Sequence, residues 1–262
     1  MTRFPYSPIN LSNVVLDHSF TSYGNITMHC AAKGTELPPP ALPDVAHEGI
    51  GLAAASNLRA CIHTNAAMQT GDVLELFWGS CFVAAHQLSA NDLDQHISFQ
   101  VPRTLLRPGA NRVHYRLLKP GCRPVKSPSL QVLIKLACPG GETLCETTEN
   151  PALAPLSLAP AVVRHGLDLQ RLGPTLPFRI APYLNMAEGD EITLRWGDVR
   201  LDLPALGADA IGLAVHGEIP RALVIEAGAD DFLDISYCVL DRVGNSSQWA
   251  APLQVKVYNS RP

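Results

Sequence analysis

The chain has 262 residues, of which 47% are hydrophobic and only 17% charged, with a formal net charge of −4. That composition supports a buried core and excludes a disordered, solvated chain or a coiled coil. It also lacks the basic excess of a dedicated nucleic-acid binder.

The N-terminal stretch MTRFPYSPINLSNVVLDHSF has no continuous apolar core of the kind a Sec signal peptide carries. No run approaches the ~18 apolar residues of a membrane span. The expected location is therefore the cytoplasm, export by a route the N-terminus does not show, or a place within a longer exported protein. Residues 1–40 end in Pro38-Pro39-Pro40 and contain the strand-like Asn25–His29. They read as an N-terminal arm.

An internal repeat follows. GDVLELFWG at 71–79 returns as GDEITLRWG at 189–197, an offset of 118. Val101-Pro102-Arg103 returns as Ile219-Pro220-Arg221, Gly109-Ala110 as Gly228-Ala229, Tyr115 as Tyr237, and Leu130-Gln131-Val132 as Leu253-Gln254-Val255. The order divides the chain into repeat one at 41–137, a linker rich in Gly, Pro, Thr and Glu at 138–159, and repeat two at 160–262. Each repeat is of ordinary domain size.

Within the anchors, apolar residues alternate. Leu74, Leu76 and Trp78 share one face, as do Ile192, Leu194 and Trp196, so both tryptophans are expected in the core. Strands are also predicted over 232–240 and 253–258, and a short helical turn over 92–99. With 22 Pro and 19 Gly as punctuation, the reading is all-β: two tandem immunoglobulin-like β-sandwich domains with an N-terminal arm.

The segment Tyr237-Cys238-Val239-Leu240-Asp241-Arg242-Val243-Gly244-Asn245-Ser246-Ser247 has the pattern Y-x-V-x-D-x-x-G-N-x-S. It resembles the end of bacterial immunoglobulin-like repeats of surface and secreted proteins, adhesins among them. Repeat one departs from the pattern, with Lys119 and Pro120 where repeat two has Asp241 and Arg242. The resemblance implies a structural motif without activity, in modules that serve as spacers, stalks and binding tips.

No G-x-S-x-G elbow or H-E-x-x-H cluster occurs, and Gly79-Ser80-Cys81 reads as a turn. No enzyme activity, cofactor or metal is expected. The histidines of repeat one, including His86, His96 and His114, read as independent imidazoles, with a cluster on one sheet face as the alternative. Asp230, Asp231 and Asp234, and separately Asp198 and Asp202, lie close in sequence but do not match a calcium loop. The seven cysteines exclude a complete disulfide framework within one chain. Cys138 and Cys145 are either bonded across a short loop or two free thiols.

The expected function is a non-catalytic module for protein interaction, adhesion or spacing of other modules, with a protein or glycan as partner and neither nucleic acid nor a membrane span involved. The closing loop of repeat one is basic, and Arg116, Lys119, Arg123 and Lys126 are the candidate contacts for an acidic partner. Trp249, just past a turn, is the candidate aromatic anchor for the alternative, a lectin-like carbohydrate binder, with Tyr183 and Tyr258 beside it.

Overall fold

The computed structural model describes residues 36–45, 48–142 and 149–260. The expected N-terminal arm falls outside them, apart from residues 36–40, which place Leu37 in the first core.

The first repeat runs through β1 (Gly49–Ile50), α1 (Leu52–Ser56), β2 (Arg59–His63), β3 (Val73–Trp78), β4 (Cys81–Gln87), β5 (His96–Gln100), β6 (Gly109–Leu118), β7 (Val125–Lys126) and β8 (Leu130–Ile134). Its larger sheet has the order β1-β8-β6-β3-β4, with β7 added on β6, and its smaller sheet pairs β2 with β5. The strand β9 (Glu149–Asn150) follows. The second repeat continues with β10 (Ser157–Leu158), α2 (Pro160–His165), β11 (Leu167–Asp168), β12 (Thr175–Ile180), β13 (Glu191–Trp196), β14 (Val199–Asp202), β15 (Val215–Pro220), α3 (Arg221–Ala227), β16 (Asp230–Leu240), β17 (Ser246–Ala250) and β18 (Leu253–Tyr258). Its sheets have the orders β11-β18-β16-β13-β14 and β10-β12-β15, with β17 on β16 and β9 on β17. These are two immunoglobulin-like sandwiches of the same plan. In each, a short strand pairs in parallel with the last one, β1 with β8 and β11 with β18. Among the described residues no helix is long and apolar enough to cross a membrane.

The alternation that marks the anchors becomes the inner face of each larger sheet. Leu74, Leu76 and Trp78 are buried, as are Ile192, Leu194 and Trp196. Leu76 lies opposite Tyr115, and Leu194 opposite Tyr237. The smaller sheets close over these rows with Ile62, Ile97 and Phe99 in one repeat and Phe178, Ile180 and Ile219 in the other. Gly79 and Gly197 open the two-residue hairpins after the tryptophans at φ 62 and 57, a left-handed conformation such tight turns require.

The Gly-Asp pair that opens each anchor has the same structural use twice. Asp72 Oδ2 accepts the Gln69 amide at 2.9 Å, and Asp190 Oδ2 accepts the Ala187 amide at 3.0 Å. Both carboxylates are buried, so each needs a counter-charge.

Two local expectations change. The predicted turn over 92–99 is a 3-10 turn at Ala90–Asp92 followed by β5, because Ile97 and Phe99 alternate into the core. Of the stretch 138–159, the described residues pack against the second sandwich. Asn150 is buried and donates to Gly140 O and Ser247 O, and Leu153, Leu156 and Leu158 enter the second core.

Candidate functional site

The two sandwiches meet through a polar joint built from the D-x-x-G-N segment. Lys135 Nζ, just past β8, lies 3.5 Å from Asp190 Oδ1 and 3.1 Å from Asp241 Oδ2. Asp241 also accepts the amides of Val243 and Asn245 at 3.1 and 2.8 Å. Asn245 Nδ2 donates to Lys135 O at 2.9 Å, and its Oδ1 accepts the Leu52 amide of α1 at 2.7 Å. The approach is close enough that a Cβ on Gly51 would sit 2.6 Å from Asn245 Oδ1 and from Val243 O. The motif therefore fastens repeat two to repeat one. In repeat one the corresponding turn stays within its own sandwich: Lys119 Nζ lies 2.7 Å from Asp72 Oδ2.

The outer face of the larger sheet of repeat one is the candidate interaction surface. On β3 the outward positions are Val73, Glu75 and Phe77. A register shift between β3 and β4 falls at Leu76/Phe77, and Phe77 pairs with Phe82. Phe82 is 55% exposed and meets the Phe77 ring edge-on, with centroids 5.8 Å apart. The His114 ring stacks on Phe77 at 5.3 Å, and the Arg116 guanidinium lies 4.1 Å from the Phe77 centroid. Glu75 is 3.4 Å from Arg116. Lys126 on β7 is directly opposite Arg116, and such like-charge pairs are unfavourable unless something between them is negative. Burial first, and then Lys126 and Arg116, hold the His114 imidazole below its ordinary range. Phe82, Val125, Arg123 and Lys126 are exposed.

The four predicted cations therefore separate. Arg116 and Lys126 join this face, Arg123 stands exposed in the adjoining loop, and Lys119 turns inward to neutralise Asp72. Phe77 and Phe82 escaped the sequence reading, in which His114 is an independent imidazole, although an aromatic at an outward position beside Glu75 was a signal that something covers or uses it. Trp249 is half-buried in β17 with the Arg195 guanidinium 5.0 Å from its ring centre. This candidate anchor sits within a paired strand, with β16 on one side of β17 and β9 on the other. Tyr183 is buried and donates to Asp190 Oδ2 at 3.0 Å.

His86, His96 and His114 are held by different partners: Asp92, the His63 ring and the Phe77 ring. Of the acidic residues weighed for calcium, Asp231 pairs with Lys256 and Asp202 with Arg200. No group of three or more His, Cys, Asp or Glu suited to a metal occurs among the described residues. Cys138 is a free thiol whose pKa burial pushes up, and Cys145, its candidate partner, lies outside the described residues. Cys122 is disulfide-bonded.

No protein-family model matches the chain, and no curated protein matches it significantly. Among solved structures it is similar to the fibronectin(III)-like modules of Clostridium thermocellum CbhA, with 14% identity and a TM-score of 0.39 over 82% of this chain and 90% of that one. It is also similar to the BSP domain of a biofilm associated protein, with 8% identity and a TM-score of 0.24, over 85% of this chain and 30% of that one.

Proposed function

We propose that the chain is a non-catalytic tandem module that binds an acidic protein partner through the outer face of repeat one. The observation that carries this reading is the exposed Phe82 seated on Phe77, with His114 and Arg116 packed against the same ring and Lys126 and Arg123 beside it. An aromatic anchor beside arginine is the composition of interface hot spots. The cations steer an acidic surface and the rings supply apolar contact. The joint at Lys135, Asp241 and Asn245 suits a presenting role, because it holds the second sandwich as a firm support.

The test compares affinities for a partner recovered by affinity capture. Phe82→Ser and the double variant Arg123→Ser/Lys126→Ser are each expected to lose about tenfold in affinity at low salt, on the order of 1.4 kcal/mol. Only the double variant flattens the salt dependence. Unchanged affinity in both variants refutes the reading. Binding is also expected to tighten from about pH 8 to about pH 6, because an acidic ligand favours the protonated His114 that the free protein disfavours.

A further inference from the structure

We infer a second, separate binding site on repeat two: a cleft that takes a neutral oligosaccharide chain. The cleft, about 810 Å³, lies between the β13–β14 turn, the end of α3 and the start of β16. Its size falls in the range of small-ligand sites. Phe232 on its wall is 73% exposed, the highest value for a large apolar side chain among the described residues. A flat ring held open to solvent at the edge of a polar cleft is a stacking platform for the C–H face of a sugar ring.

The rest of the lining is charged with both signs. Arg195 and Arg200 offer donors, and Asp198, Glu226, Asp230 and Asp234 offer acceptors. Some of this capacity is unused. Asp234 Oδ1 and Arg195 Nε are buried without a hydrogen-bond partner. The side chains of Asp198 and Glu226 have no hydrogen-bond or ion-pair partner among the described residues. Vicinal hydroxyls, each a donor and an acceptor, match such alternating groups, and hydrogen bonds to charged partners are the stronger kind.

The balance of charge selects among ligands. Four carboxylates face two guanidiniums, and Arg200 is already engaged by Asp202 at 2.8 Å. A polyanion is therefore repelled, and an apolar ligand finds only one ring to cover it. Repeat one has no equivalent: Arg112, opposite Gln131, stands where repeat two has Asp234 opposite Gln254, Phe232 lies in the irregular stretch of β16 between Asp230 and Leu233, and the turn after Trp78 is Gly79-Ser80 rather than Gly197-Asp198.

The test titrates the full chain with neutral hexasaccharides of glucose, mannose, xylose and N-acetylglucosamine, and with oligogalacturonate, read by saturation-transfer NMR. At least one neutral hexasaccharide is expected to bind at millimolar concentration. Phe232→Ala and Glu226→Gln, both at exposed positions, are each expected to weaken it about tenfold with the thermal midpoint unchanged. Phe82→Ser, on the other repeat, leaves this binding intact even if it abolishes binding of a protein partner. The inference is overturned if no neutral hexasaccharide binds, if only oligogalacturonate binds, or if both cleft variants bind as the parent does.

Discussion

Lys135 bridges the two repeats by charge. Its ammonium lies between the Asp190 and Asp241 carboxylates, both with side chains 0% exposed. Removing one member of such a group leaves charge buried without a partner, which costs far more than the intact group contributes. Lys135→Met is expected to destabilise the fold by about 3 kcal/mol at neutral pH. Burial holds the Asp190 carboxyl above its ordinary range, against the pull of the Ala187 amide, Lys135 and Tyr183. An acid raised in this way binds protons in the folded state that the unfolded chain has released. Its contribution to stability is therefore greatest at low pH and is lost as pH rises through the folded value. Without Lys135 the shift grows, so the deficit of Lys135→Met narrows as the pH falls toward about 5. Urea midpoints of parent and variant across that range check this, and a deficit independent of pH contradicts it. Nothing in Leu133-Ile134-Lys135-Leu136 announced this role, because the carboxylates it serves lie 55 and 106 positions further along the chain.

At the scale of elements, the anchors were legible because each strand buries one face and exposes the other. A period of two survives in β3 and β13 whatever surrounds them. The two-residue strands β1, β7, β9, β10 and β11 were not legible, since so short a pairing leaves no period to detect. The segment 149–158 looked like linker for a related reason. Its Pro and Asn residues break any period, yet Leu153 and Leu156 are each 1% exposed and Asn150 is 0% exposed. A fragment beginning at residue 160 discards these contacts. Three buried leucines are worth roughly 5 kcal/mol together, comparable with the whole stability of a small domain. Residues 149–262 are therefore expected to unfold cooperatively in urea at a clearly higher midpoint than residues 160–262. Equal midpoints contradict the assignment of this segment to the second core.

On the scale of the whole molecule, the repeats share a frame and differ in what they present. The paired Gly-Asp turns, the buried Trp–Tyr layers and the parallel closing strands are common to both. Repeat one spends its closing loop on a basic, aromatic face, whereas repeat two uses the same region to lock onto its neighbour through Asp241 and Asn245. The resemblance to bacterial immunoglobulin-like repeats predicted the motif and its structural character, but not that the motif is an inter-repeat fastener. That follows only from the carbonyl and amide of residues 135 and 52 reaching the same side chain. The overall charge of −4 likewise conceals a local cationic surface, because net charge carries no information about placement.

Backbone-amide chemical-shift mapping of the full chain, titrated with a captured acidic partner at low salt, tests the central claim most directly. The account predicts that the largest shifts fall at Phe77, Phe82, His114 and Lys126, and fade together as salt is raised. Largest shifts on repeat two or on residues 1–40, with these four unmoved, would contradict it.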